Sequence, residues 1–249
     1  MSPSLSLTIL GSGGISPDPQ RKGPSFLVSS GDSHILVDVG PGCLRNLVLS
    51  GHDPSEMLGA CITHRHPDHT SEFRLFLDLE RSKNRANPLW LAGTCIVDEM
   101  VHFHLNLGRQ IPAKVPFPIE RLQMPGRGEI GPFEVSGAPV PHVEHSVGYR
   151  ISAGGRTLVY TGDCGPGKEV VSLCQKADLL LIEATLPVGA RSQAHLSPEE
   201  ASEIAIEAGC KRLVLTHFSP HADVDTAISV CQKKGLDVSA AKDLDSYTV

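Results

Sequence analysis

The residues best suited to chemistry lie in one short segment, Thr63 to His69, which reads THRHPDH. This segment holds three histidines and one aspartate, at positions 64, 66, 68 and 69. Neutral imidazole and carboxylate groups are preferred ligands of zinc and of related divalent metals. A polar loop that is rich in histidine by chance is the alternative, and the density of ligand-type side chains favours a metal site over it.

The preceding residues predict the element that positions this segment. Met57–Ile62 is mostly apolar, which is typical of a buried strand. Pro67 removes a backbone donor from any continuation of the strand ladder, so we expect the chain to bend into a loop there. The histidines and Asp68 would then project together from the end of a strand.

Further ligand-type residues follow other predicted strands. His142 comes directly after the strand-like Ala138–Pro141, and His217 ends the predicted strand over 211–216. Asp163 follows the predicted strand over 156–161, where an aspartate beside glycine suits either a metal ligand or a turn cap. His145 is the alternative to His142, and the position directly after the strand favours His142.

These residues resemble the metallo-β-lactamase superfamily of metal-dependent hydrolases. His64-x-His66-x-Asp68-His69 is similar to the signature of that superfamily. Several other segments resemble its third-histidine segment or its ribonuclease Z branch: Leu10–Gly14 with Arg21, Gly42–Leu47, His142-x-x-x-Ser146-x-Gly148-Tyr149, Ile182–Thr185 with isoleucine in place of a histidine, His195, and Leu215–Ser219.

The resemblance implies an α/β fold, a four-layer αββα sandwich in which two mixed sheets are flanked by helices, over a single domain of residues 1–249. It also implies two divalent metal ions. The first ion would be held by His64, His66 and His142; the second by Asp68, His69 and His217; Asp163 would bridge them. Three imidazoles favour zinc at the first site, and the more oxygen-rich second site also suits manganese or iron.

The resemblance assigns supporting and catalytic roles as well. Asp38 would support the metal loop without being a ligand. Asp68 would orient a water or take its proton, and His195, held by Glu183, would lie near the scissile phosphate. His195 directly precedes a predicted helix start at Ser197, so a role in local capping alone is the other interpretation.

Composition limits the partners. The 249 residues include 40% hydrophobic and 4% aromatic residues, and the net charge of −6 disfavours broad nucleic-acid binding. Seven cysteines without a CxxC pair predict free thiols and a cytoplasmic location, and no run of apolar residues predicts a signal peptide or a membrane span. A homodimer is compatible with the resemblance.

The favoured function is therefore hydrolysis of a small anionic substrate, a phosphodiester. Ribonuclease Z carries a long arm between its third histidine and its bridging aspartate, whereas only about twenty residues separate His142 from Asp163 here. Processing of the tRNA 3′ end is thus disfavoured. A carboxylic ester, thioester or lactone is the alternative substrate, and a non-catalytic metal-binding module is disfavoured because every ligand position is filled.

Four features stay open at the sequence level. Arg21 either faces an anionic substrate or lies on a solvated loop, and Glu72 replaces a glycine and could place a charge beside the site. His102 and His104 form a second HxH pattern, but on a predicted helix over 94–107 they would point different ways. Residues 112–118 are predicted to be a loop, and residues 81–130 could serve as a lid or an interface.

Overall fold

The chain forms two seven-stranded sheets in the computed structural model, which describes residues 4–82, 85–106 and 117–249. The first sheet has the spatial order β14-β1-β2-β3-β4-β5-β6. It consists of β1 (Leu5–Gly11), β2 (Ser25–Ser30), β3 (Ser33–Val39), β4 (Met57–Cys61), β5 (Leu89–Gly93), β6 (Ile119–Gln123) and β14 (Ser246–Thr248). Strands β3 to β6 are parallel, and the other neighbours are antiparallel.

The second sheet has the order β13-β12-β11-β10-β9-β8-β7. It consists of β7 (Gly126–Ile130), β8 (Phe133–Pro139), β9 (Val147–Ala153), β10 (Arg156–Tyr160), β11 (Leu179–Glu183), β12 (Arg212–Thr216) and β13 (Val238–Ala240). Strands β10 to β13 are parallel, and β7 to β10 are antiparallel. Both sheets are therefore mixed, as predicted.

Helices cover the outer face of each sheet. They are α1 (Cys43–Leu49), α2 (Pro67–Thr70), α3 (Phe73–Ser82), α4 (Cys95–Asn106), α5 (Lys168–Cys174), α6 (Pro198–Ala208) and α7 (Val224–Lys233). Apolar residues of α1, α3 and α4 pack on the first sheet, and those of α5, α6 and α7 pack on the second. No helix in these ranges is long and apolar enough to cross a membrane.

Strand β11 shows why the two sheets stack. All five of its residues are buried. Leu179 and Leu181 face the core between the sheets, whereas Leu180 and Ile182 face the helices on the other side. A strand covered on both faces reads as a continuous apolar run. The predicted four-layer αββα sandwich is confirmed.

Most of the predicted elements are observed within a few residues, and one prediction about the metal loop is wrong. Pro67 does not continue a loop; it is the first residue of the one-turn helix α2. The fixed φ of proline suits the first helical position, where no intrahelical donor is needed. The predicted loop over 112–118 lies mostly outside the described residues. The seven cysteines are free, as predicted.

Candidate metal centre and active site

The structure brings all the predicted ligands together where strands of both sheets end. They follow β4 in the first sheet and β8, β10 and β12 in the second. Their donor atoms form two groups, each within 4.8 Å, that share Asp163. One group is His64, His66, His142 and Asp163, and the other is Asp68, His69, Asp163 and His217.

Asp163 faces the two groups with different oxygens. Its Oδ1 lies 3.2 Å from Nε2 of His69 and 3.2 Å from Nε2 of His217. Its Oδ2 lies 3.7 Å from Nε2 of His142 and 3.9 Å from Nε2 of His64. This is the placement that a carboxylate bridging two cations requires.

The buried polar atoms of the cluster fit divalent metals. Nε2 of His69 and Oδ1 of Asp163 are buried and have no hydrogen-bond partner. Such atoms carry a desolvation cost unless a proton donor or a cation compensates it. The donor set of imidazole nitrogens and carboxylate oxygens suits zinc, manganese or iron.

Burial and local charge favour the ligand forms of His64 and Asp163, whereas the neighbouring Asp163 raises the pKa of His69 and of His217 despite their burial. Burial, followed by the neighbouring His69, lowers the pKa of His64 far below its usual value, so its imidazole is neutral. Burial alone would raise the pKa of Asp163, but His217 and His69 lower it well below its usual value. A neutral imidazole beside an ionised carboxylate is ready to bind a metal without first losing a proton.

Hydrogen bonds to Nδ1 orient the imidazoles. Asp38 Oδ2 lies 2.8 Å from Nδ1 of His69. The hydroxyl of Thr185 lies 2.8 Å from Nδ1 of His217, and the carbonyl of Ala194 lies 2.8 Å from Nδ1 of His142. All three rings therefore present Nε2 to Asp163. Partners of this kind fix the tautomer and orientation of a metal-ligating histidine.

Asp38 also holds the loop that carries the histidines. It accepts hydrogen bonds from the backbone N–H of Thr63, at 2.8 Å, and from its hydroxyl, also at 2.8 Å. Asp38 lies in β3 and Thr63 follows β4, so the two parallel strands and the metal loop are joined at one point. The predicted supporting position of Asp38 agrees with these contacts.

Thr185 and Ala194 were not predicted from the sequence. Thr185 lies in the segment Ile182–Thr185, where only Glu183 was singled out, and its position two residues after β11 was the available signal. Ala194 acts through its backbone carbonyl, so its side-chain type carried no signal.

In the N-terminal loop, Gly14 contacts the ring of His217, whereas Arg21 is bonded to other parts of the protein. A Cβ on Gly14 would lie 2.8 Å from Cε1 of His217, so glycine permits the loop to press against that ring. Arg21 does not face the cavity. Its guanidinium donates to Ser12 Oγ and to the Ala241 carbonyl, both at 2.7 Å, and lies 4.9 Å over the ring of Phe218. Neither interpretation of Arg21 matches the structure, since its side chain is bonded within the protein and holds the loop.

Glu72 does not place a free charge beside the site. Its two carboxylate oxygens accept hydrogen bonds from the backbone N–H groups of Gly42, at 2.7 Å, and Leu44, at 2.9 Å. Helix α1 has no side-chain cap of its own, so Glu72 supplies acceptors for its orphan donors.

The remaining histidine candidates lie outside both ligand groups. The side chain of His145 is 43% exposed and lies 3.5 Å from the carboxylate of Glu144. His102 and His104 lie on α4, as predicted, and neither belongs to a metal-type cluster among the described residues. Of the two rival histidines, His142 lies within a ligand-type group and His145 does not.

A second pair stands beside the cluster. Nδ1 of His195 lies 2.9 Å from Oε1 of Glu183. Glu183 is fully buried and also accepts from the backbone N–H of Cys164, at 2.8 Å, and of Leu196, at 3.2 Å. The hydrogen bond that His195 donates to Glu183 raises the pKa of His195 above its usual value.

The helix start after His195 has the predicted capping box. The hydroxyl of Ser197 accepts from the N–H of Glu200, whose carboxylate accepts from the N–H of Ser197, and Pro198 occupies the first turn. This cap fixes the backbone at Ser197, while Glu183 fixes the ring of His195. The His195 ring centroid lies 4.9 Å from that of His142 and 6.1 Å from that of His217.

One cavity joins these groups. Its volume is about 290 Å³. Its lining residues are Gly14, Ile15, Ser16, His66, Pro67, Asp68, Asp163, Thr185, His195, His217 and Ser219. The cavity thus exposes both ligand groups and His195 to the same small volume.

Comparison with known proteins agrees with this geometry. Residues 33–218 match the family model of the beta-lactamase superfamily domain. Ribonuclease Z of Mycolicibacterium gilvum is 31% identical over 242 residues, which cover 87% of this chain and 85% of that protein. Ribonuclease Z of Pyrococcus abyssi is 28% identical over 269 residues, with 87% of both chains covered.

Solved structures share the fold. The metallo-β-lactamase fold protein YhfI of Bacillus subtilis superposes with a TM-score of 0.86 at 24% identity, covering 99% of this chain and 100% of that one. The short form of human tRNase Z superposes with a TM-score of 0.81 at 23% identity, covering 98% of this chain and 99% of that one. The superfamily fold implies divalent metal ions, commonly zinc. The protein belongs to the metallo-β-lactamase superfamily and is a ribonuclease Z-like, metal-dependent hydrolase.

Proposed function

We propose that this protein is a phosphodiesterase that hydrolyses a small phosphodiester at a dinuclear metal centre. The observation that carries the proposal is the position of the His195–Glu183 pair, which faces both ligand groups across one cavity of about 290 Å³. A proton donor opposite a metal pair is what hydrolysis with a poor leaving group requires.

The proposed ligands divide as the two groups do. His64, His66 and His142 would hold the first ion, Asp68, His69 and His217 the second, and Asp163 would bridge them. At such a site, divalent ions supply an activated water, with its pKa lowered to about 7, and neutralise charge on a phosphoryl oxygen. Zinc is proposed at both positions, with manganese or iron as alternatives at the second.

The other residues move protons and orient groups. His195 donates a proton to the leaving oxygen as the phosphorus–oxygen bond breaks. Glu183 holds Nδ1 of His195 and favours the protonated ring near neutral pH. Asp68 lines the same cavity, and its carboxylate would orient the attacking water and accept its proton.

The size and charge of the molecule favour a small substrate, cyclic or linear. Only the β9–β10 hairpin lies between His142 and Asp163, and its strands meet at a tight turn around Gly154 and Gly155. The net charge of −6 adds no basic surface for a long polyanion. The names of the ribonuclease Z relatives support an RNA phosphodiester as the second candidate, and a tRNA remains disfavoured.

We propose that residues 1–249 form a single domain. Free thiols at all seven cysteines support a reducing compartment, the cytoplasm. A homodimer remains compatible with it.

Hydrolysis of model substrates tests the proposal. Bis-p-nitrophenyl phosphate, p-nitrophenyl acetate and a lactone would be compared on zinc-loaded and manganese-loaded protein. We expect turnover of the diester, loss of that turnover in Asp163→Ala, and unchanged turnover in His145→Ala as the matched control. Turnover of the ester or lactone alone would refute the phosphodiesterase and give His195 another role.

Natural substrate classes would follow in one panel. We expect 2′,3′- or 3′,5′-cyclic nucleotides or short dinucleotides to be hydrolysed faster than a tRNA precursor. Faster cleavage of the precursor would establish the nuclease instead.

A further inference from the structure

The described residues contain a third group of metal-type side chains, away from the active site: His34, His52 and Glu56. His34 is the second residue of β3, and Asp38, which orients the active-site His69, is four residues further along that strand. At about 3.3 Å per residue, some 13 Å of strand separates the two positions. We infer that His34, His52 and Glu56 form an additional site for a zinc-type divalent cation.

The donor atoms are close enough to be drawn around one ion. One atom from each residue lies within 4.8 Å of the other two, the same limit that the two active-site groups meet. The rings of His34 and His52 are 4.5 Å apart and nearly perpendicular, at 67°. Nδ1 of His52 lies 4.0 Å from Oε2 of Glu56.

A small movement completes the geometry. Zinc bonds of roughly 2.0–2.2 Å in a tetrahedron place neighbouring ligand atoms about 3.3–3.6 Å apart. The side chain of His52 is 27% exposed, so rotation about its side-chain bonds can close the remaining distance without disturbing the core.

His34 is the fixed point of the site. It is buried, and its Nδ1 lies 2.8 Å from the hydroxyl of Ser29, its cross-strand partner in the β2–β3 hairpin. With Nδ1 occupied, Nε2 is left to bind a metal, the arrangement found around metal-ligating histidines. Burial and the neighbouring His52 lower the pKa of His34, so the neutral ligand form prevails near pH 7.

Glu56 is also held locally. It ends the short 3₁₀ helix Pro54–Glu56, and its Oε2 accepts from the backbone N–H of Asp53 in a capping box, at 3.2 Å. A carboxylate has acceptor capacity for both this bond and a metal. Two of the three ligands are therefore pre-positioned by bonds unrelated to any ion.

The ligand chemistry selects the class of cation. Two imidazoles and one carboxylate suit zinc, cobalt, nickel or copper, whereas magnesium and calcium prefer oxygen ligands throughout. Three protein ligands leave a coordination position for water. A bound ion would clip the β2–β3 hairpin to the connection between α1 and β4.

Zinc titration tests the site. Metal-free protein would be titrated in competition with a chromophoric chelator, and the zinc bound per chain counted by elemental analysis. We expect wild type to bind one equivalent of zinc more than either His52→Ala or Glu56→Gln. If a variant still binds that equivalent, we expect its affinity for zinc to be at least about tenfold lower than that of wild type. His102→Ala, which removes an exposed histidine outside all three groups, should keep it.

Thermal unfolding gives a second readout that does not depend on catalysis. Zinc bound only to the folded chain raises Tm by mass action. We expect part of the zinc-dependent rise to disappear in His52→Ala and Glu56→Gln while the equivalents bound at the active site persist. Equal stoichiometry, affinity and Tm shift in wild type and in both variants would overturn the inference.

Discussion

Asp38 holds the His69 ring by the nitrogen that does not face the metal-type cluster. Oδ2 of Asp38 lies 2.8 Å from Nδ1 of His69, whereas Nε2 of His69 lies 3.2 Å from Oδ1 of Asp163. Asp38 and His69 are fully buried, so water does not compete for these bonds. The pair selects the tautomer with the proton on Nδ1 and a free Nε2.

Asp38→Asn should weaken metal binding without unfolding the protein. Asp38 has φ of 57°, a conformation that asparagine tolerates well, so the backbone should persist. The neutral amide loses the charge that stabilises the Nδ1–H, and we expect metal affinity to fall about 10- to 100-fold. Chelator competition measures the change. Asp223→Asn, at an exposed helix cap, is the control, and equal affinity in both variants would contradict the role of Asp38.

Asp163→Ala should lower metal content in both ligand groups at once. Asp163 contributes one oxygen to each group, so its loss leaves each ion with one ligand fewer. We expect fewer than two equivalents of metal by elemental analysis after gel filtration. Retention of both equivalents would show that Asp163 does not bridge.

His142→Ala and His145→Ala should separate a ligand from its neighbour in sequence. Nε2 of His142 lies 3.2 Å from Nδ1 of His66 inside the first group, whereas His145 lies at the surface beside Glu144. Only His142→Ala should therefore reduce metal content and diester turnover. A loss of metal in His145→Ala of equal size would reverse the assignment.

His195→Ala should keep the metals and lose turnover. His195 belongs to neither ligand group but lines the cavity, so its removal should spare metal content. Loss of a general acid should cost about 10²- to 10⁴-fold in kcat on a diester with a poor leaving group, and less with p-nitrophenolate, which needs no proton. Equal effects on both leaving groups would remove His195 from the role of acid.

Local sequence patterns predicted which residues form the two ligand-type groups, because most of these side chains are concentrated in one segment or follow predicted strands. Four of the candidates, His64, His66, Asp68 and His69, lie within six residues. Asp163 and His217 each follow a strand that an apolar run predicts, whereas His142 follows the less apolar β8. The capping box at Ser197 and strand β11, which is buried on both faces, were also predicted from local sequence. In each case, side-chain type and spacing alone identify the element.

Contacts between distant segments were not predictable in the same way. Strand β14 is a short polar edge strand that forms only by pairing with β1, at the other end of the chain. Strands β6 and β7 lie in residues 81–130, where the sequence has no clear hydrophobic periodicity. Arg21 and Glu72 looked like charges at the site, but their partners lie elsewhere: the Ser12 hydroxyl and the Ala241 carbonyl bind Arg21, and two backbone N–H groups bind Glu72. The sequence shows which residues carry a charge, but it does not show which groups form hydrogen bonds with them.

Glu183→Gln should shift the pH dependence of the reaction towards acid. The hydrogen bond and negative charge of Glu183 raise the pKa of His195, so the protonated acid persists to higher pH in the wild type. Glutamine keeps the size but removes the charge, so the pKa of His195 should fall and the alkaline limb of kcat/KM should move to lower pH. The acid limb should stay in place, because Asp68 and the ligand groups are unchanged. Since Glu183 also accepts three backbone N–H bonds, from Cys164, Thr185 and Leu196, thermal unfolding must confirm that the variant is folded. An alkaline limb at the wild-type position in folded, metal-loaded Glu183→Gln would mean that His195 does not supply the titrating proton.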